Sequence, residues 1–319
     1  MIAIVRYRRL GRSGLKVSEV GFGAWQFSGD AWGEVRADEA EKTLAKALEL
    51  GVNFFDTAQV YGRGRSEELL GVILRRLGAT DDVVIATKIP GERLAYHDVK
   101  RATELSLRRL RRDAIDLYQI HWPSIWNHVP ISETMKAMEE LVEAGLVRYI
   151  GLSNFPPCLT EQAQQSLKKH EIVSNQLRYN ILEREVEKEY LPYLKEKGMS
   201  LIAWSPLAKG ALTGKYTPDN LPEFHDVRAN DPLFHPDNFK EAWRIVQLLK
   251  EIGAKYGKTP AQVALNWLLR DPLVIPIPGA KNPRQAEENA GASDWMLSEE
   301  DWRRITEASS TIRINRVLW

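Results

Sequence analysis

Short apolar runs recur along the chain, separated by longer stretches whose apolar positions fall at helical spacing. The runs predict β-strands over 17–22, 52–56, 83–87, 115–120, 147–151, 171–175, 199–204 and 273–277. Helical periodicity predicts helices over 37–50, 65–76, 97–110, 131–144, 159–168, 187–197, 240–256 and 260–270. In the first of these Ala40, Leu44, Ala47 and Leu48 share one face, and Gly51 follows as a stop signal. Met135, Met138, Leu141 and Val142 repeat the pattern in the fourth, with Gly145 beyond the last turn. Strands apolar on both faces, alternating with helices from start to finish, predict a closed parallel sheet. The expected fold is therefore a (β/α)₈ barrel, the TIM-barrel architecture. A doubly wound open sheet would use fewer strands and open with a glycine fingerprint. Tyr7–Leu10, Gly11–Gly14 and Leu15–Ser18 read as a small hairpin ahead of the barrel. The longest irregular stretch, about 205–239, is rich in Pro, Gly, Asp and Asn and directly follows the seventh strand. Loops of that length in a compact domain are usually functional. With no linker, repeat or low-complexity segment, 1–319 is expected to be a single domain.

Composition adds mostly exclusions. The 44 basic and 43 acidic residues nearly cancel and are interspersed, which gives no support for nucleic acid or a membrane surface as a partner. A single cysteine, Cys158, rules out an intrachain disulfide and every CxxC motif. The opening apolar stretch Ile2-Ala3-Ile4-Val5 is too short for a signal-peptide core, and no later run approaches a membrane span. A cytoplasmic location is expected.

Four residues carry the candidate chemistry. Asp56 closes the second predicted strand and Tyr61 lies in the loop beyond it; Lys88 and His121 follow the third and fourth strands. In a (β/α)₈ barrel the C-terminal strand ends meet at one mouth, so these four become neighbours there. A cation beside a phenol favours its phenolate, and a carboxylate beside that cation holds it in place and charged. The imidazole of His121 can orient a substrate carbonyl or share the proton with Tyr61. Competing signatures are absent. Gly21-Phe22-Gly23 does not continue to the third glycine of a dinucleotide fingerprint, and no GxSxG occurs. The ends of strands four to seven offer His121, Asn154, Gln176 and Ser205 and no pair of carboxylates. The histidines show no ligand spacing, so no metal is expected.

The segment Asn53-Phe54-Phe55-Asp56-Thr57-Ala58-Gln59-Val60-Tyr61-Gly62 resembles the signature of the aldo-keto reductase superfamily. So do Gly11–Ser18, Gly151-Leu152-Ser153-Asn154-Phe155 and Trp204-Ser205-Pro206-Leu207. The resemblance implies a (β/α)₈ barrel that reduces aldehyde or ketone carbonyls with NADPH and without metal. It implies a catalytic tetrad of Asp56, Tyr61, Lys88 and His121, with Tyr61 as proton donor. It places the cofactor on Gly23, Ala24, Trp25, Asp56, Ser153, Asn154, Gln176 and Trp204. On residue type alone Trp204 also has a lesser reading as barrel core. The long loop adds Ser205, Pro206, Leu207, Lys209 and Gly210, where it would cross the pyrophosphate. Beyond the eighth strand, Asn282-Pro283 is a good helix start, and a helix N-terminus suits phosphate. Gly279, Lys281, Gln285, Glu288 and Asn289 complete the implied cofactor site, Lys281 on the 2′-phosphate. The chain departs from other branches at Gly279-Ala280, where they carry Lys-Ser, and at Gln285, where they carry Arg. Trp25, Tyr61, His121 and Trp122 would line the substrate pocket, with Trp32 and Trp126 as candidate additions. Two alternatives stay open: a cofactor-binding regulatory subunit like the potassium-channel β subunits, and a dehydrogenase acting mainly on polyols or sugar alcohols.

Overall fold

The computed structural model describes residues 5–124 and 128–315; Ile2–Ile4 and Trp126, singled out above, lie outside them. An antiparallel hairpin comes first, β1 (Tyr7–Arg9) and β2 (Lys16–Ser18). Eight parallel strands then follow in sequential order: β3 (Phe22–Gly23), β4 (Phe54–Asp56), β5 (Val84–Ile89), β6 (Ile115–Ile120), β7 (Val147–Ser153), β8 (Ile172–Arg178), β9 (Ser200–Trp204) and β10 (Val274–Pro276). The last strand meets the first: Gly21 and Gly23 donate to the carbonyls of Pro276 and Pro278, and Gly23 bridges Gly279. The sheet is thus a closed barrel. The predicted first strand, 17–22, is split by this arrangement. Its first half pairs within the hairpin and only Phe22–Gly23 enters the barrel.

Helices cover the strands: α1 (Ala37–Glu49), α2 (Arg65–Arg76), α3 (Tyr96–Leu110), α4 (Ile131–Glu143), α5 (Pro157–Ser166), α6 (Tyr190–Lys197), α7 (Pro236–Tyr256), α8 (Pro260–Leu269), α9 (Pro283–Ala290) and α10 (Glu299–Ser310). Helix α10 was not expected from the sequence. Its Ser298 cap and acidic first turn are a clear start signal, but its buried face is thin: Asp301, Ile305 and Ser309.

Two apolar layers result from the period-2 alternation of the strands. Outward-facing residues such as Phe55, Ile85 and Tyr118 pack under the helices. Inward-facing Phe54, Ala86, Leu117, Val173, Ile202 and Ile275 fill the barrel, joined by Leu10, Leu15 and Val17 of the hairpin. The hairpin stops the N-terminal end of the barrel. Gly11 donates its N–H to Ser200 Oγ at 2.7 Å, and a Cβ there would lie 2.1 Å from the Val173 carbonyl. That leaves the C-terminal mouth as the place for chemistry. Among the described residues, no helix is long and apolar enough to cross a membrane.

Candidate active site

Strands β4 and β5 place Asp56 and Lys88 side by side in the barrel interior. Both are essentially inaccessible, 2% and 0% exposed. Lys88 Nζ donates to Asp56 Oδ1 at 2.5 Å, to the Thr57 carbonyl at 2.8 Å and to Tyr61 Oη at 3.3 Å. Burial works against the ammonium, but Asp56 and then Tyr61 outweigh it, so the Lys88 pKa stands above the ordinary lysine value. For Tyr61 the balance differs from the expectation that the cation would favour phenolate. Burial is the largest influence and raises its pKa; Lys88 opposes this without overcoming it. The phenol therefore keeps its proton.

The imidazole of His121, just past β6, stands edge-on to the Tyr61 ring at 5.7 Å between centroids. Burial, and then the charge of Lys88, hold its pKa well below the ordinary histidine value, so the ring is neutral. Its Nδ1 is buried without a hydrogen-bond partner. Trp25 stacks on Tyr61 at 5.8 Å, Trp32 meets Trp25 edge-on at 5.5 Å, and Trp122 lies 4.4 Å from His121. Trp25, Trp32 and Trp122 thus surround the phenol and imidazole.

A second cluster sits at the ends of β7, β8 and β9. Gln176 Nε2 donates to Asp56 Oδ2 at 2.8 Å, and Ser153 Oγ donates to the Gln176 carbonyl. Asn154 donates to the His121 carbonyl at 3.0 Å and accepts from Trp204 Nε1 at 3.2 Å. Trp204 is half-buried at the mouth, with the Arg178 guanidinium over its ring. Non-glycine residues in left-handed backbone gather at this end of the barrel: Arg63, Asn154, Ser205, Ala208 and Lys209. Such conformations cost about 1–3 kcal/mol each and persist where the surroundings impose them.

All of this opens into one cavity of about 800 Å³, which runs from the tryptophans over Trp204 to the start of α9. The far end is cationic. Lys281 Nζ donates to the Trp32 carbonyl at 2.5 Å, and its pKa is lowered by burial and then by the charge of Arg228, with Lys215 adding less. Arg228 is held by Asp226 and Tyr216 and lies 4.1 Å over the Phe224 ring. Lys209 is paired with Asp231 at 2.7 Å. Asn282 caps α9 by accepting from the Gln285 N–H, Gln285 Oε1 accepts from the Lys281 N–H, and Asn289 donates to the Gly279 carbonyl.

The cavity brings together nearly all the candidate residues, from Gly23, Trp25 and Asp56 to Glu288 and Asn289. Ala24 and Lys88 are the exceptions among the described residues. Ala24 is fully buried behind the wall and its carbonyl is taken by Ser66 Oγ. Lys88 also lies behind the wall and acts on the cavity through Tyr61 and Asp56. Two participants were missed. Gln119 donates to Asp56 Oδ2 at 3.2 Å and accepts from Gln176. The alternation of β6, which puts Gln119 on the inward face with Leu117, was the signal that could have found it. Arg228 lies in the long irregular loop, where no periodicity marks it.

A closed (β/α)₈ barrel with a buried Asp–Lys–Tyr cluster and a cation-ended cleft at its C-terminal mouth defines a class of oxidoreductase, and comparison agrees: the pattern of the aldo/keto reductase family matches residues 19–310, and the chain belongs to that family. Among individual relatives it is similar to the aldo-keto reductase YhdN of Bacillus subtilis, 35% identical over 311 residues and covering 94% of this chain and 92% of that one. It is also similar to a probable voltage-gated potassium channel subunit beta of Arabidopsis thaliana, 36% identical, covering 91% and 92%. The structure of the glycerol dehydrogenase AKR11B4 from Gluconobacter oxydans superposes with a TM-score of 0.87 at 30% identity, covering 98% and 97%.

Proposed function

We propose that this protein is an NADPH-dependent reductase of aldehyde or ketone carbonyls in which Tyr61 is the proton donor. The observation that carries this reading is the buried triplet in which Lys88 Nζ touches both Asp56 and Tyr61 Oη beside a neutral His121. The residues present fit a nicotinamide dinucleotide. Amide and hydroxyl groups of Ser153, Asn154 and Gln176 and the ring of Trp204 suit a carboxamide-bearing ring, while Lys281, Arg228 and the capped start of α9 suit phosphates. An 800 Å³ cleft falls within the range of small-molecule and cofactor sites.

When bound, the nicotinamide supplies a hydride to the carbonyl carbon. The chain's part is to stabilise and protonate the oxygen. Tyr61 Oη gives its proton to that oxygen, and Lys88 Nζ, held charged by Asp56, stabilises the phenolate left behind. His121, with a pKa below the physiological range, stays neutral and offers one N–H to orient the carbonyl. The tryptophans beside the phenol and imidazole offer an apolar wall to carbonyl substituents.

The test is purified protein with NADPH and a panel of aldehydes and ketones, following loss of the reduced cofactor. Tyr61→Phe keeps the ring and should retain cofactor binding while losing about 10²–10⁴-fold in turnover. A Phe variant holding more than half the parental rate would remove Tyr61 from the role. The channel-subunit relative favours a second reading, that of a cofactor-binding regulatory subunit. Parental protein that binds NADPH but turns over no carbonyl on the panel would favour it.

A further inference from the structure

The segment between β4 and α2 carries Tyr61, and directly after that residue the backbone is left-handed three times running: Gly62 (φ 59°), Arg63 (φ 56°) and Gly64 (φ 96°). Backbone turn bonds from the Tyr61, Arg63 and Arg65 N–H groups to the carbonyls of Ala58, Val60 and Gly62 shape the stretch, and side chains tether it to its surroundings. One tether is short: Thr57 Oγ1 donates to Ser66 Oγ at 2.9 Å, which donates to the Ala24 carbonyl.

The other tether ends on a carboxylate that the chemistry above does not use. Gln59 Nε2 lies 2.8 Å from Ser106 Oγ, 2.9 Å from the Ala102 carbonyl and 3.1 Å from Tyr118 Oη. Ser106 Oγ donates to Glu67 Oε1 at 2.7 Å, and the same oxygen accepts from Thr87 Oγ1, also at 2.7 Å. Glu67 Oε2 takes Arg109 Nη1 at 3.1 Å. Glu67 is 0% exposed and stands outside the cavity lining. Its partners are Ser106, which in turn holds Gln59 of the loop that carries Tyr61, Thr87, the residue next to Lys88, and Arg109, so one buried anion is linked to both members of the Tyr61–Lys88 contact. The Arg109 guanidinium fills the space a Cβ at Gly64 would occupy, 2.3 Å away.

The direction of the chain of bonds follows from the charge. A carboxylate only accepts, so the Ser106 hydroxyl must spend its hydrogen on Glu67 and turn its lone pairs to the Gln59 N–H. A neutral amide at 67 could donate to Ser106 instead and reverse that hydroxyl, leaving two hydrogens facing each other at Gln59. We propose that Glu67, acting through Ser106 and Gln59, is the positioning group that sets Tyr61 Oη against Lys88 Nζ. The inference rests on Tyr61 as proton donor.

The experiment is a pair of double-mutant cycles read by single-turnover oxidation of NADPH. Glu67→Gln and Gln59→Leu are made in the parental chain and in Tyr61→Phe, with NADPH affinity followed by tryptophan fluorescence. A misplacement of the donor by around an ångström costs about 10²-fold, so each variant should slow the parental single-turnover rate by about 10- to 100-fold. NADPH affinity should stay within about twofold, and neither change should slow the Tyr61→Phe protein further, because a residue acting through the phenol has nothing left to act on. Equal fractional losses in both backgrounds would mean a purely structural role and overturn the proposal, as would parental rates in both single variants. Should Glu67→Gln not fold, Gln59→Leu and Ser106→Ala leave the Glu67–Arg109 pair intact and carry the same cycle. Parental turnover in Tyr61→Phe alone would instead sink the proton-donor reading and this inference with it.

Discussion

Tyr61 sits between opposing influences, and their order of size decides its behaviour. Burial raises its pKa, Lys88 lowers it, and burial wins. Lys88 is itself held charged above the ordinary lysine value. A proton donor with a raised pKa stays protonated through neutral pH and loses its proton only above the ordinary tyrosine value of about 10. The rate of carbonyl reduction should therefore be flat across the neutral range and fall only on the strongly alkaline side. An alkaline limb centred near pH 7–8 would contradict this. Lys88→Met should lower the single-turnover rate by about 10²-fold or more through loss of the preorganised cation. It should also cost about 3–5 kcal/mol of stability, because Asp56 is left buried with its counter-ion gone. Adding Asp56→Asn should restore most of the thermal stability and none of the rate. A double variant that regained the rate would make the pair structural only.

At the scale of elements, the start of α9 is where cofactor choice would be made. Asn282 caps the helix, and Lys281 just before it is tied to Trp32 in the loop after β3. Phosphate near a helix N-terminus gains from the positive end of the helix dipole whichever dinucleotide binds, so discrimination has to come from contacts to the 2′-phosphate. Lys281→Ala should weaken NADPH binding by about 10- to 150-fold, the worth of a charge-assisted hydrogen bond of roughly 1.5–3 kcal/mol, and leave NADH nearly untouched. Titration of tryptophan fluorescence with each cofactor reads both affinities. Equal weakening of the two would mean that Lys281 serves the Trp32 contact or the pyrophosphate.

For the whole molecule the decisive event is closure of the sheet, because only a closed barrel brings β3 and β10 together and gathers the strand ends at one mouth. The seam is narrow. A Cβ on Gly23 would stand 2.7 Å from the Ile277 carbonyl, a backbone atom with little room to give. Gly23→Ala should cost about 1–3 kcal/mol by overpacking. A thermal-unfolding midpoint several degrees lower is the expected reading, and an unchanged midpoint would show that the seam can open by the width of a methyl group.

The sequence by itself determined the alternation of elements, the barrel, the placing of Asp56, Lys88 and His121 at strand ends with Tyr61 in the loop after Asp56, and the capped start of α9, because each is written in local signals. Periodicity, strand termini and Asn282-Pro283 need no knowledge of distant partners. The tertiary structure alone decided which half of 17–22 enters the barrel, since the hairpin takes Val17 and Ser18 while the seam to Pro276 and Pro278 takes Gly21 and Gly23. It also settled the balance at Tyr61, where burial, a property of the assembled site, outweighs the neighbouring charge. Gln119 and Glu67 find their partners Asp56 and Arg109 63 and 42 places away in the chain; the alternation of β6 marks Gln119 as inward-facing, but nothing local names its partner or that of Glu67.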